Sequence, residues 1–210
     1  MDSNQRLCRK LSGGGFSHSV IKALELTDRA MFVPPEQKHF AYEDRALPIG
    51  HGQTISQPSV VILMTDRLEL TGSEEVLEIG TGSGYQAAIL AKLCRNLVTV
   101  EIIPPLQQQA QALFTKLGLS NVVCLSGDAF LLADSTQYDR IIVTCALPVI
   151  PAELTGLLRP GGIMVAPVDA GIWHQELLKI TRNRDKLLIE KIEDVVFVPM
   201  TGKIREKASA

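Results

Sequence analysis

Between positions 76 and 85 the chain reads Val76-Leu77-Glu78-Ile79-Gly80-Thr81-Gly82-Ser83-Gly84-Tyr85, an apolar run that breaks into three alternate glycines and resumes as a helical pattern. Few architectures accommodate a strand that enters such a turn and leaves it as a helix. The turn must let the backbone pass close to a neighbour or a ligand and turn its N–H groups inward. The same theme recurs along the chain. β-rich runs at 76–80, 97–101, 122–128 and 138–144 alternate with helical stretches that begin at Tyr85 and after Pro105. This alternation predicts βαβ units and a parallel sheet covered on both faces. A helix over 152–158 is expected to end at Arg159-Pro160-Gly161-Gly162, and 163–168 supplies another buried strand. There the alternation stops. The runs 177–182 and 186–199, joined by the polar turn Asn183-Arg184-Asp185, predict an antiparallel hairpin added to the sheet. The expected fold is α/β, Rossmann-like and doubly wound, with a mostly parallel sheet and a C-terminal antiparallel hairpin.

Upstream, apolar residues at near-helical spacing predict a short amphipathic helix over 17–29 and a denser one over 58–70. Between them, 31–57 carries Pro34, Pro35, Pro48, Gly50 and Gly52 and is expected to be a long loop. The first sixteen residues are polar and glycine-rich and are expected to be disordered. With 46% hydrophobic residues, the 210 positions suffice for one domain. It divides into N-terminal helices and a loop (17–70), an α/β core (75–168), and a hairpin with a closing loop (174–203).

Composition removes several function classes. Lys and Arg number 21 against 23 Asp and Glu, and no basic tract stands out, so no nucleic-acid partner is expected. No apolar run is long enough to span a membrane or to act as a secretory signal, which predicts a soluble, cytoplasmic protein, taken to be a monomer. Cys8, Cys94, Cys124 and Cys145 lack paired spacing and are expected as free thiols, most of them buried. His18, His39, His51 and His174 lack ligand spacing, so no metal site is expected. Trp173 is expected as a packed hairpin aromatic, with a binding platform as the alternative.

Three acidic positions give the glycine turn its chemical meaning. A dinucleotide fingerprint would need a third glycine at position 85, where this chain has Tyr85, and a carboxylate at Glu78 would be a poor neighbour for a pyrophosphate. Glu101 ends the second strand, where a carboxylate can accept from both ribose hydroxyls. Asp128, ending the third, can accept from an exocyclic amine such as that of adenine. A phosphate-free ligand with a positively charged portion fits this edge best. A second motif, Ala46-Leu47-Pro48-Ile49-Gly50-His51-Gly52-Gln53-Thr54-Ile55-Ser56-Gln57-Pro58, offers hydroxyls at Thr54 and Ser56 and a helix N-terminus behind them, a plausible carboxylate receptor.

The glycine turn with its later acids resembles the class I S-adenosylmethionine methyltransferases. That resemblance makes Glu78, Gly80, Thr81, Gly82, Gly84, Glu101 and Asp128 the candidate cofactor residues, for S-adenosyl-L-methionine and its product S-adenosyl-L-homocysteine. The loop reading G-x-G-Q-T-I-S-x-P, together with YDRIIVTCA (138–146) and the stretch Phe197 to Gly202, closely resembles protein-L-isoaspartate O-methyltransferases over roughly residues 20–203. This second resemblance implies Ser56 as the active-site residue, Thr54 and Ile55 as lining the substrate site, and Thr201 as part of a closing loop. It implies methylation of the free carboxylate of isoaspartyl residues in damaged proteins or peptides. The ester would then close to a succinimide unaided, and hydrolysis would return some normal linkage. The chain departs from the pattern at Cys145, where alanine is common, and at Ser59, where an aromatic or histidine is common. Two alternatives stay open: a related methyltransferase with one dedicated peptide or small acid, and a non-catalytic cofactor-binding protein.

Overall fold

The computed structural model describes residues 3–131, 136–184 and 186–204. Its N-terminal segment overturns the expectation of disorder. Helix α1 (Ser3–Leu11) gathers Leu7, Cys8 and Leu11 on one face and packs them against Val20, Ile21 and Leu24 of α2 (His18–Glu25). The Asn4 amide donates to the carbonyls of Leu24 and Glu25 at 3.4 and 3.0 Å, satisfying groups that the end of α2 leaves open. The polar composition conceals a narrow apolar stripe. Positions 1 and 2 lie outside the described residues.

The 31–57 segment is also more regular than expected. Short 3-10 turns at Arg29–Met31 and Pro35–Phe40 lead into a hairpin of β1 (Leu47–Gly50) and β2 (Gln53–Ile55), with Leu47 opposite Ile55 and Pro48 opposite Thr54. Gly50, His51 and Gly52 all take positive φ at its tip. Leu47, Ile49 and Ile55 are buried. That apolar side pins the hairpin despite the proline and glycine punctuation. Helix α3 (Pro58–Arg67) comes next, with proline in its first turn as expected.

The core elements are β3 (Glu75–Ile79), α4 (Tyr85–Leu90), β4 (Asn96–Glu101), α5 (Pro104–Lys116), β5 (Val122–Ser126), β6 (Tyr138–Val143), α6 (Ala152–Gly156), β7 (Leu158–Gly171), β8 (His174–Asn183) and β9 (Lys186–Val195). They form a seven-stranded sheet in the order β5-β4-β3-β6-β7-β8-β9. The pairs among β3 to β7 are parallel, and β8 is antiparallel to both its neighbours, which is the added hairpin. Asn183 pairs with Lys186 where the turn was expected, although Asp185 lies outside the described residues. Side chains alternate across each strand. Val76, Leu97 and Ile142 pack with α3, α4 and α5, while Leu77, Val100 and Ile141 pack with Leu154 of α6 and with Met200. The sheet is therefore doubly wound.

The chain runs outward from β3 to β5 and then returns to place β6 on the other side of β3. That reversal opens a crevice beyond the carboxyl ends of β3 and β6, the usual ligand position in open α/β sheets. Trp173 is a further correction: at the β7–β8 turn it is 99% exposed rather than packed. Two flanking strands ending in a tight turn leave no apolar surface for it to fold onto. Among the described residues, no helix is long and apolar enough to cross a membrane.

Candidate active site

The glycine turn sits at the head of that crevice. Gly80 has φ +94 and donates its N–H to Val100 O at 2.9 Å, and a Cβ there would collide with the Thr144 hydroxyl. Gly84 has φ +83 and lies so close to Phe114 that a Cβ would sit 2.7 Å from the ring. Both positions therefore require glycine, for conformation and for space. Thr144, from the end of β6, donates to Gly80 O at 2.5 Å and couples the turn to the neighbouring strand.

Glu101, at the tip of β4, is 5% exposed and lines the cleft. One of its oxygens accepts from Gly82 N–H at 2.7 Å and the other from Ile103 N–H at 2.9 Å. Asp128 also lines the cleft. It accepts from Phe130 N–H at 2.9 Å and from Lys203 N–H at 2.8 Å, so it anchors the chain's returning C-terminal segment. Gly202 permits this approach, since a Cβ there would lie 2.5 Å from Asp128 Oδ2.

Glu78 behaves differently from the other acids. It is fully buried and does not line the cleft. Its Oε2 accepts from the Thr99 hydroxyl at 2.5 Å, Thr99 meets the Thr81 hydroxyl at 2.6 Å, and Oε1 has no partner among the described residues. Burial pushes its pKa up to about 8, with the charge of Glu101 adding to the rise. Glu78 thus supports the turn from beneath.

The cleft spans about 830 Å³, counting the open solvent at its mouth. Ile79 to Ser83, Glu101 to Ile103, Gly127 to Ala129, Thr144 and Cys145 form one side, and Thr54, Ile55, Ser56 and Thr201 close the other. Among the described residues two carboxylates line it, and no Lys, Arg or His does. This donor set suits a cationic, phosphate-free ligand with hydroxyls to offer, as S-adenosylmethionine is. Burial pushes the Cys145 thiol up to about 12, so it stands as neutral wall rather than nucleophile.

The structure brings Ser56, Thr54, Gly80, Thr81, Gly82, Glu101 and Asp128 to one cavity. Gly84 and Glu78 stand behind it. The α3 N-terminus, expected to attract the substrate's anion, already serves the chain's own Asp44, whose carboxylate accepts from Ser59 N–H at 2.8 Å.

A model of the family described as protein-L-isoaspartate(D-aspartate) O-methyltransferase matches residues 2–205. The chain belongs to this family. Over 187 residues it is 48% identical to protein-L-isoaspartate O-methyltransferase 1 of Anaeromyxobacter sp. (strain Fw109-5), covering 88% of each chain. It is 45% identical over 188 residues to the Myxococcus xanthus protein-L-isoaspartate O-methyltransferase, covering 88% and 89% of the two chains. A solved structure described as protein-L-isoaspartate O-methyltransferase superposes with a TM-score of 0.87 at 26% identity, over 96% of this chain and 67% of that one. A Plasmodium falciparum structure described under the same activity, in complex with S-adenosyl-L-homocysteine, gives a TM-score of 0.82 over 96% and 99% of the chains. At 20% identity that likeness speaks for the fold.

Within this family frame, one residue that pattern reading misses is Arg29. Its guanidinium is fully buried and donates to the carbonyls of Ala41, Glu43, Arg45 and Ser56 at 2.9 to 3.3 Å. It also lies 5.9 Å from the centre of the Tyr85 ring. Burial lowers its pKa to about 10, so it stays charged at neutral pH. Arg29 ties the loop ahead of the hairpin to Ser56. Asp28 and Arg29, at the start of a 3-10 turn, give no sign of this. A second cluster outside the sequence pattern joins His174 Nε2 to Glu176 and Asp194 at 3.5 and 3.4 Å across β8 and β9. Lys191 bridges the same two carboxylates at 2.9 and 2.8 Å, so the chain supplies its own cation there.

Proposed function

We propose that the chain transfers the methyl group of S-adenosyl-L-methionine to the free carboxylate of L-isoaspartyl residues in damaged proteins and peptides, and that Ser56 orients that carboxylate. The observation that carries this reading is a junction. Thr54, Ser56 and Thr144 line both the cofactor cleft and a wider surface groove beside it, so a carboxylate carried on a chain in the groove reaches the cleft.

S-adenosyl-L-methionine supplies, when bound, an activated methyl group on a sulfonium. The residues supply position. A carboxylate with an ordinary pKa of about 4 is already ionised at neutral pH, so no general base is needed. The Ser56 hydroxyl, on a loop held by Arg29 through its own carbonyl at 3.0 Å, donates to the incoming carboxylate and limits its rotation. Thr54 offers a second hydroxyl, Ile55 packs the hairpin beneath them, and Thr201 closes the outer wall. Gly80, Thr81, Gly82 and Gly84 shape the cradle, Glu101 would hold the ribose hydroxyls and Asp128 the adenine end, Asp128 also fixes the closing loop, and Glu78 stiffens the turn. A monomeric, cytoplasmic enzyme built as one methyltransferase domain goes with this reading.

The test is methyl transfer from labelled S-adenosyl-L-methionine to paired peptides that differ only in an isoaspartyl or a normal aspartyl linkage. Selective labelling of the isoaspartyl peptide is expected. Cofactor binding without labelling of either would overturn the proposal in favour of a dedicated acceptor or a non-catalytic binder. Ser56→Ala is expected to lower turnover or raise the peptide KM, and no change in either would remove Ser56 from its role.

A further inference from the structure

The groove beside the cleft has an outer end that methyl transfer does not explain. Its near wall is shared with the cleft through Ser56 and Thr144, and its far lip carries Trp173 and Glu193. Trp173 is 99% exposed, next to Ile172 at 89%. Complete exposure is unusual for a tryptophan, whose large ring ordinarily contributes most when buried. Trp173 also has φ +62, a conformation in which glycine is the ordinary occupant. The turn therefore holds a costly side chain in a costly conformation at the mouth of a groove, a combination that points to use.

Carboxylates outnumber the cations around it. Glu193 is exposed, lines the groove and takes part in none of the ion pairs found among the described residues. Glu176 and Asp194 project from the other face of the β8–β9 ribbon, where they share a single Lys191 with His174 beside them. The groove carries an exposed indole at its end and, farther along, the carboxylate of Glu193, which stands opposite Leu177. A guanidinium or ammonium group is the chemistry that both features favour, through the ring face and through charge.

We propose that the groove holds the stretch of damaged chain flanking the isoaspartyl residue, and that Trp173 and Glu193 form a subsite for a lysine or arginine side chain in that stretch. This deepens the functional reading above and rests on it. The groove runs without a break into the wall that holds Ser56, so one extended segment occupies both. An acidic residue at the same position is disfavoured by Glu193.

The experiment measures kcat and KM for isoaspartyl peptides in which arginine, alanine or glutamate is placed at each position flanking the isoaspartyl residue, with the wild type, Trp173→Ala and Glu193→Gln. Both side chains are exposed, so the variants are expected to fold. At one flanking position the wild type should show a KM roughly three- to tenfold lower for arginine than for glutamate, the size expected of a solvent-exposed cation–π contact with one ion pair. Each variant should shrink that ratio and leave kcat and the KM for S-adenosyl-L-methionine unchanged. Methylation of the whole series without dependence on the flanking residue, or a dependence that both variants retain, overturns the subsite and leaves the repair activity standing. Failure to methylate any isoaspartyl peptide overturns the functional reading and the subsite together.

Discussion

Replacing Glu78 by glutamine should remove a pH dependence of stability that the buried carboxylate imposes. In the folded protein Glu78 is fully buried, and its pKa is raised from the ordinary 4.5 to about 8. The unfolded chain gives up this proton near 4.5, whereas the folded chain keeps it until about 8. Between those values unfolding releases a proton, so stability falls as pH rises and levels off above 8. At 1.36 kcal/mol per pH unit over that window, the loss amounts to about 4 to 5 kcal/mol. In Glu78→Gln the side-chain carbonyl can still accept from Thr99, but the amide hydrogens find no acceptor at the position of the unpartnered Oε1. That leaves a pH-independent cost of about 1 to 3 kcal/mol. The two stability curves should therefore cross. At pH 5 the wild type is the more stable, and by pH 8 the variant equals or exceeds it. Urea unfolding at four pH values from 5 to 8 gives both curves, and the other titrating groups cancel in the difference. Parallel curves, with a constant gap across the range, would refute the assignment of a buried, neutral Glu78.

Two further outcomes are expected from the geometry. Arg29→Met leaves the carbonyls of Ala41, Glu43, Arg45 and Ser56 without their donor and should destabilise the fold by about 3 to 5 kcal/mol in urea unfolding. Arg29→Lys keeps the charge but loses the fork, so it should fold and raise the KM for the isoaspartyl peptide with the KM for S-adenosyl-L-methionine unchanged. A change confined to the cofactor KM would contradict the link to Ser56. Gly202→Ala meets Asp128 Oδ2 at 2.5 Å and Ile102 at 2.9 Å from a backbone with φ +94, and should detach the closing loop. The cofactor dissociation constant is expected to rise about tenfold, and the unfolding midpoint to fall with it, since Met200 and Ile204 on either side of the glycine are buried in the core. Unaltered cofactor affinity by calorimetry would show that the loop is not part of the site.

Most of the sheet is legible in the sequence because β-branched runs alternate with helical ones; Pro58 marks a helix start that the structure retains, and the helix expected after Pro105 already includes Pro104. The departures share a cause. At α1 and at the β1–β2 hairpin, composition masks pattern. Leu7, Cys8 and Leu11 form a stripe within a polar segment, and Leu47 and Ile55 face each other within a segment rich in proline and glycine. Trp173 misleads in the opposite direction. Hydrophobicity argues for packing, but a turn between two long strands projects its residues beyond the sheet, where only another molecule can cover them.

The site divides along the same lines, and Glu78 shows where local pattern reaches further than its motif suggests. In a strand, positions 76 and 78 share one face and 77 and 79 the other. Val76 belongs to the cluster beneath α3 and α4, so Glu78 has to point there as well, away from the ligand edge. Arg29 is beyond such reasoning, since its partners are backbone carbonyls, which carry no residue identity. The acids that do reach the cleft have a scaffold role in addition to any ligand role. Glu101 accepts from two backbone N–H groups and Asp128 from two more. A carboxylate offers about four acceptor positions. Glu101 therefore keeps capacity for a ribose diol after fixing Gly82 and Ile103, and binding need not break the bonds that shape the turn. One side chain can thus hold the cradle and read its contents, and an acid at the end of β4 serves there better than an amide, which offers only one acceptor oxygen.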